Sequence, residues 1–305
     1  MTSANVRVPA KINLCLGVGP VREDGYHPLA TVYQAVDLHD EVRATLREDD
    51  EITVAVHADL DAAGEVVDVP QDDDNLAVRA ARLLRDRTGV EGGVDLAIRK
   101  VIPVAGGMAG GSADAAAALV ACNEVWGTGL PRTELEGLAA QLGSDVPFLL
   151  HGGIAMGGGR GETISPVLAR GSYHWVFAMA DRGLSTAAVY AEFDRLNAGS
   201  TVPQPEVSDA LLAALRAGDA EALGQSLSND LTAAALSLRP ELEDTLTVGL
   251  EAGALGAILS GSGPTALFLA ADEQHSLDLA FALSSASGCA DVVQSRGPVA
   301  GARLT

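Results

Sequence analysis

Lys100-Val-Ile-Pro-Val-Ala-Gly-Gly-Met-Ala-Gly-Gly-Ser-Ala-Asp-Ala-Ala-Ala-Ala-Leu119 decides how the rest of this sequence is read. Its first half is glycine-rich and carries almost no side-chain chemistry. Its second half is nearly all alanine, a strong helix former. The pattern predicts a loop running straight into a helix over 112–126, with Ser112 or Asp114 near the start to satisfy free backbone N–H groups. Gly106, Gly107, Gly110 and Gly111 leave the loop's N–H groups uncovered, and a helix N-terminus adds partial positive charge. Together these features make a cradle for phosphate. A Walker A loop requires Gly-Lys-Ser/Thr, but the lysines of the chain, Lys11 and Lys100, follow Ala10 and Arg99. No stretch satisfies the Gly-x-Gly-x-x-Gly dinucleotide fingerprint. A phosphate loop here is of another design.

Upstream, Asn5 to Gly19 alternates apolar and polar residues as a strand does. Pro9 interrupts it, which predicts an edge strand or a bend. Lys11 and Asn13 share one face. Arg22-Glu-Asp-Gly-Tyr-His27 reads as a loop with Tyr26 and His27 exposed, and 30–47 and 51–57 read as further strands without a notable acidic pair. Residues 59–73 read as an acidic surface loop. A helix is expected over 74–88, closed by Gly89.

Downstream, a short helix over 133–142 precedes Gly143-Ser-Asp-Val-Pro-Phe148, where Asp145 has the look of a cap or turn acid. Gly152 to Gly161 reads as a strand with a tight loop. The remainder alternates strands and helices without strict βαβ repeats: a strand over 174–180, a helix over 185–196, helices to 252, and strand–turn–strand over 256–270. A helix over 272–287 and a strand over 291–294 complete it. The fold class expected is α+β in two domains, 1–165 and 166–305.

At 305 residues with 48% hydrophobic content the chain can build sizeable cores. Its net charge of −21 argues against nucleic acid as a partner, because phosphate neutralisation requires clustered Lys and Arg. Cys15, Cys122 and Cys289 form no disulfide or zinc pattern, and residues 1–7 hold no apolar leader core. No apolar run reaches membrane-spanning length. The expectation is a cytoplasmic protein with no nucleic-acid or membrane partner.

Three segments, in order, resemble the motifs of the GHMP small-molecule kinases: Pro9-Ala-Lys-Ile-Asn-Leu14, Pro103 to Ala116 and Leu259-Ser-Gly-Ser-Gly-Pro-Thr265. Arg22 to His27 and Gly143 to Phe148 are similar to one branch of that family, which acts on a cytidine diphosphate-linked methylerythritol in the non-mevalonate isoprenoid route. The resemblance implies an N-terminal domain like ribosomal protein S5 domain 2 and a ferredoxin-like C-terminal domain. It implies transfer of the ATP γ-phosphoryl group to the 2-hydroxyl of the substrate, with Mg²⁺ whose ligands stay unassigned. Lys11 and Asp145 become the catalytic pair. The ATP loop comprises Pro103, Val104, Ala105, Gly106, Gly107, Met108, Ala109, Gly110, Gly111, Ser112 and Ala113. Asn13, Tyr26, His27 and Tyr190 become substrate-binding, with cytosine between the two tyrosines and its polar edge at His27.

The loop departs from the family pattern at Ala105, Met108, Ala109 and Ala113. An alanine at 105 or 109 is left-handed only at a cost. A homoserine- or mevalonate-type kinase is the alternative within the family, and the Asp-Gly-Tyr-His27 extension argues against it.

Overall fold

The computed structural model describes residues 2–58, 69–104 and 106–305; the outer part of the expected acidic loop and Ala105 lie outside them. The chain begins with β1 (Ser3–Val18), β2 (Leu29–Leu46) and β3 (Ile52–Ala58), followed by α1 (Leu76–Thr88) and β4 (Val94–Lys100). Next come α2 (Gly110–Val125), α3 (Arg132–Leu142), α4 (Val146–His151), β5 (Ile154–Gly158) and β6 (Thr163–Pro166). These strands build a sheet in the order β1-β2-β4-β3, with β5 beside β2 and β6 beside β5. Helix α1 opens on the side chain of Asn75 and ends at left-handed Gly89.

Among the described residues, Pro9 stands where β1 has a strand partner on one side only, as an edge position requires. β1 pairs antiparallel with β2 along its whole length, and the bend expected at Pro9 appears as a register shift between Pro9 and Ala10. A second shift lies between Asn13 and Cys15. The inward set Val6, Val8, Ile12 and Leu14 is buried. Helix α2 packs on β1 and β2 and against α1 and α4. Ala113, Ala115 to Leu119, Ala121 and Cys122 are all fully buried, so the alanine run is a helix enclosed on every side, where small side chains allow close approach. Truncating Leu119 there would cost about 2–5 kcal/mol.

The second half contributes β7 (Tyr173–Met179), α5 (Thr186–Leu196), α6 (Asp209–Ala217), α7 (Ala220–Gln225), β8 (Ser228–Asn229) and α8 (Thr232–Leu238). It continues with α9 (Glu241–Glu251), β9 (Gly256–Leu259), β10 (Ala266–Ala270), α10 (Glu273–Leu283), β11 (Asp291–Gly297) and β12 (Arg303–Leu304). A four-stranded antiparallel sheet runs β11-β7-β10-β9, with α9 and α10 packed on it. That order, reached through connecting helices, is the ferredoxin-like arrangement expected.

Two short strands cross back to the first sheet: β8 lies parallel to β1 at Cys15 and Leu16, and β12 antiparallel to it at Val6 and Arg7. These pairings, with α4 and α8, escaped the sequence reading because segments of two to seven residues carry no resolvable periodicity. No helix among the described residues is long and apolar enough to cross a membrane.

Candidate active site

A cleft of about 940 Å³ lies between the two halves. Its floor is the start of α2. The expected side-chain cap is absent: the helix begins at Gly110, two residues before the predicted start, and the cap position is Ala109 with φ 59°, ψ 37°. Ala109 therefore takes the left-handed conformation, at a cost of roughly 1–2 kcal/mol for a residue with a Cβ. The first-turn N–H groups of α2 are left without side-chain partners and face the cleft through Gly110, Gly111 and Ser112. Pro103, Gly106, Gly107 and Ala109 line it as well. Met108 and Ala113 instead point into the core, and Val104 points to solvent away from the cleft.

The third motif closes over the loop. Ser260 Oγ donates to the Gly107 carbonyl at 3.0 Å. Gly107 has φ 76°, and a Cβ there would lie 2.0 Å from the Ser260 carbonyl oxygen, so only glycine fits. Asn229, from β8, donates to the carbonyls of Leu259 and Gly261 and holds the turn in place.

Lys11 and Asn13 emerge from β1 on one face, as expected. Lys11 Nζ donates to Asn13 Oδ1 at 2.8 Å, Asn13 Nδ2 to Thr31 Oγ1 at 2.8 Å, and Thr31 Oγ1 to the Cys15 carbonyl at 2.6 Å. This chain aims the ammonium at Asp145, whose Oδ2 is 3.8 Å away. Asp145 occupies the cap position of α4, yet its side chain caps nothing and faces the cleft. Thr31 and Tyr33 were invisible to sequence reasoning, because only the β1–β2 register brings them to Lys11 and Asn13. The Tyr33 ring lies 5.5 Å from Lys11 Nζ and 5.0 Å from the Phe148 ring. Burial, and then the charge of Asp145, hold its phenol well above the usual range, so it stays neutral. Gly157 and Gly161 make room for it: a Cβ would come within 2.5 Å of the ring and 2.4 Å of the hydroxyl respectively. Tyr33 thus accounts for two glycines of the second glycine-dense segment.

The far end of the cleft gathers Tyr26, His27 and Tyr190 from widely separated positions. Tyr26 is exposed, as expected; His27 is not, being 7% exposed. Its ring lies 5.3 Å from that of Tyr190 and 5.8 Å from that of Phe193. Nδ1 stands 2.7 Å from the Gly19 carbonyl, which can only accept, so Nδ1 carries the proton. In the neutral ring Nε2 is then an acceptor, 3.5 Å from Asp194 Oδ1. Arg160, in the turn between β5 and β6, lies over the Tyr26 ring at 4.8 Å and lines the cleft. No sequence motif marked it. Among the described residues no group of three or more His, Cys, Asp and Glu side chains gathers as a metal site would need.

The cleft thus joins an anion cradle, a lysine–carboxylate pair and an aromatic end. The family described as GHMP kinases N terminal domain matches residues 75–153, and GHMP kinases C terminal matches residues 211–288. A 4-diphosphocytidyl-2-C-methyl-D-erythritol kinase of Thermobifida fusca (strain YX) is 56% identical over 304 residues, covering 99% of this chain and 98% of its own. A solved structure of 4-(cytidine 5'-diphospho)-2C-methyl-D-erythritol kinase superimposes with TM-score 0.74 at 31% identity, over 95% of this chain and 98% of that one. A homoserine kinase from Cytophaga hutchinsonii superimposes with TM-score 0.75 at 19% identity, over 100% of this chain and 98% of its own, a likeness of fold alone.

The chain belongs to the GHMP kinases, phosphotransferases that use ATP as co-substrate, and within them to the family of the 4-diphosphocytidyl-2-C-methyl-D-erythritol kinases.

Proposed function

We propose that the cleft transfers the γ-phosphoryl group of ATP to the 2-hydroxyl of 4-diphosphocytidyl-2-C-methyl-D-erythritol, giving the 2-phosphate and ADP in the non-mevalonate isoprenoid route. The observation that carries this reading is the Lys11–Asp145 pair, 3.8 Å apart, set between an anion cradle and an aromatic end. Asp145 accepts the proton of the 2-hydroxyl as its oxygen bonds to the γ-phosphorus. The bond from that phosphorus to the β–γ bridging oxygen breaks, and ADP leaves with the electron pair. Lys11 offsets the negative charge that builds up, and the first turn of α2 holds the phosphates. Mg²⁺ would neutralise charge on the phosphates of ATP, with Ser112 at the start of α2 facing the same part of the cleft.

At the other end, the cytosine ring stacks between Tyr26 and Tyr190. Its exocyclic amino group is a donor, and the acceptors His27 Nε2 and Asp194 suit a donor rather than the carbonyl of uracil. Arg160 supplies a cation for the substrate's diphosphate. The domain division is kept close to 165/166, near the end of β6 at Pro166, where the first sheet gives way to the second at Tyr173, with β8 and β12 as returns to the first. The free cysteines suit a reducing cytoplasm, and the acid excess disfavours nucleic acid.

A coupled ADP-release assay with the cytidyl substrate, homoserine and mevalonate tests the reading. ADP release with the cytidyl substrate alone is expected. Turnover of homoserine or mevalonate instead would overturn it.

A further inference from the structure

Under the phosphate loop lies a cluster of charges that the phosphoryl transfer itself does not use. Lys100 closes β4 immediately before the loop. Its Nζ donates to Asp114 Oδ2 at 2.9 Å and to Asp40 Oδ2. The three side chains are between 0% and 4% exposed. The second oxygen of Asp40 accepts the backbone N–H groups of Val101 at 2.6 Å and Ile102 at 2.8 Å. Asp40 thus receives three donors, the environment of an ionised carboxylate. Asp114 differs. It is the fifth residue of α2, just beyond the first turn, and its Oδ1 is buried with no hydrogen-bond partner. A Cβ on Gly110 would stand 2.9 Å from Lys100 Nζ, so the ammonium lies directly against the residue that opens the helix.

One ammonium cannot balance two ionised carboxylates. If both were charged, an excess negative charge would sit buried beneath the backbone that receives the nucleotide's phosphates. An unpartnered buried carboxylate oxygen is costly, and the neutral acid lowers that cost by removing the charge. We propose that Asp114 is a positioning residue held as the neutral acid when nucleotide occupies the loop, so that nucleotide binding is linked to a proton on Asp114. With that proton in place Lys100 pairs with Asp40 alone, and nothing anionic opposes the phosphates through the first turn of α2. The proposal rests on reading the loop as the ATP cradle.

Burial pushes the Asp114 carboxyl up to about 8, with Lys100 pulling it down and Asp40 pushing it further up. Burial alone would lower Lys100, but the two carboxylates hold its ammonium above the ordinary value. Lys100 and Asp40 are the charged groups that face Asp114 among the described residues. Well below this value the acid is already largely protonated, and nucleotide binding takes up little or no proton. As the pH rises through this value the free protein loses the proton and the nucleotide-bound protein regains it. Affinity then falls, by at most roughly tenfold per pH unit for one proton.

The test is calorimetric titration of the whole protein with ADP between about pH 7 and about pH 9.5, in buffers of different ionisation enthalpy. Wild type should bind progressively more weakly across this range and take up a fraction of a proton at the alkaline end. Asp114→Asn, which keeps the shape and cannot ionise, should show wild-type-like affinity near neutrality and no matching decline. An identical pH slope in Asp114→Asn overturns the proposal. If that variant fails to fold, infrared difference spectra of wild type with and without ADP decide at alkaline pH. A growing protonated-carboxyl band supports the proposal, and no such band overturns it. Absence of ADP binding at every pH would remove the reading of the loop and this proposal with it, an outcome distinct from binding without pH dependence.

Discussion

Lys11 Nζ stands 3.8 Å from Asp145 Oδ2, with the lysine side chain 6% exposed and the aspartate 29%. The ammonium donates to Asn13, which Thr31 holds in turn, while the carboxylate keeps one side open to the cleft. Asp145→Asn and Lys11→Ala should each lower kcat by ~10²–10⁴-fold, the usual scale of a positioned acid–base group, with the fold retained. Steady-state kinetics beside circular dichroism checks this. A near-normal kcat in Asp145→Asn would remove the base from Asp145.

The glycines of the loop should not behave alike. At Gly107 an alanine Cβ would collide with the Ser260 carbonyl, and the left-handed backbone adds strain, so Gly107→Ala should unfold or open the loop. At Gly111 the nearest atom to a new Cβ is Leu76 Cδ1 at 3.6 Å, an ordinary contact. Gly111→Ala should therefore keep its melting temperature, while Gly111→Leu should keep the fold and weaken nucleotide binding by filling the cleft. Thermal melts with and without ADP separate these outcomes.

Ala109 offers a test in the opposite direction. Its φ of 59° suits glycine better than alanine. Ala109→Gly should relieve left-handed strain and stabilise the protein by about 0.5–1 kcal/mol, after the larger unfolded-state entropy of glycine is set against the gain. Urea denaturation measures it. A destabilised variant would mean that the Cβ of Ala109 contributes packing that outweighs the strain.

The aromatic end should govern the substrate and leave ATP alone. Tyr26→Ala and Tyr190→Ala should raise KM for the cytidyl substrate roughly 5- to 150-fold, from a stacking contribution of ~1–3 kcal/mol. His27→Ala should erode preference for cytosine over uracil, and Tyr190→Ala should erode it too, because the two rings touch at 5.3 Å. Kinetics with cytidyl and uridyl substrates reads both. Equal rises in KM for ATP and the cytidyl substrate would point to a folding defect.

Arg160→Ala removes a cation from the cleft and uncovers the Tyr26 ring. KM for the cytidyl substrate should rise roughly 10- to 100-fold, the scale of one charge-assisted hydrogen bond. Arg160→Lys should recover part of the loss, since it keeps the charge and loses the planar stacking. A KM indifferent to Arg160→Ala would move the diphosphate elsewhere in the cleft.

Much of this was legible in the chain, and the reasons are local. The alanine run of α2, the alternation of β1, the cap at Ser185 and the glycine end of α1 are written at spacings of two to four residues. The shared face of Lys11 and Asn13 follows from the period of a strand. What failed was equally instructive. Ser112 and Asp114 look like caps, yet α2 starts earlier, on a left-handed alanine, because the third motif presses on Gly107 and fixes the loop's path. Asp114 turns out to belong to a buried cluster whose other members lie 14 and 74 residues earlier in the chain.

The sequence by itself determined the class of fold, the glycine loop that opens α2 and the branch of the family, because each rests on contiguous residues whose backbone demands are read from their types. It could not separate substrates by fold, since a homoserine kinase superimposes as well as a cytidyl kinase does. Only the tertiary structure brought Asp145 to Lys11, closed Tyr190 on His27, set Arg160 over Tyr26 and left Asp114 Oδ1 without a partner. Those relationships depend on sheet register and on packing between distant elements, where a displacement of a few ångströms separates a hydrogen bond from none. Such distances are set by the whole packed interior and are not encoded in any one stretch of the chain.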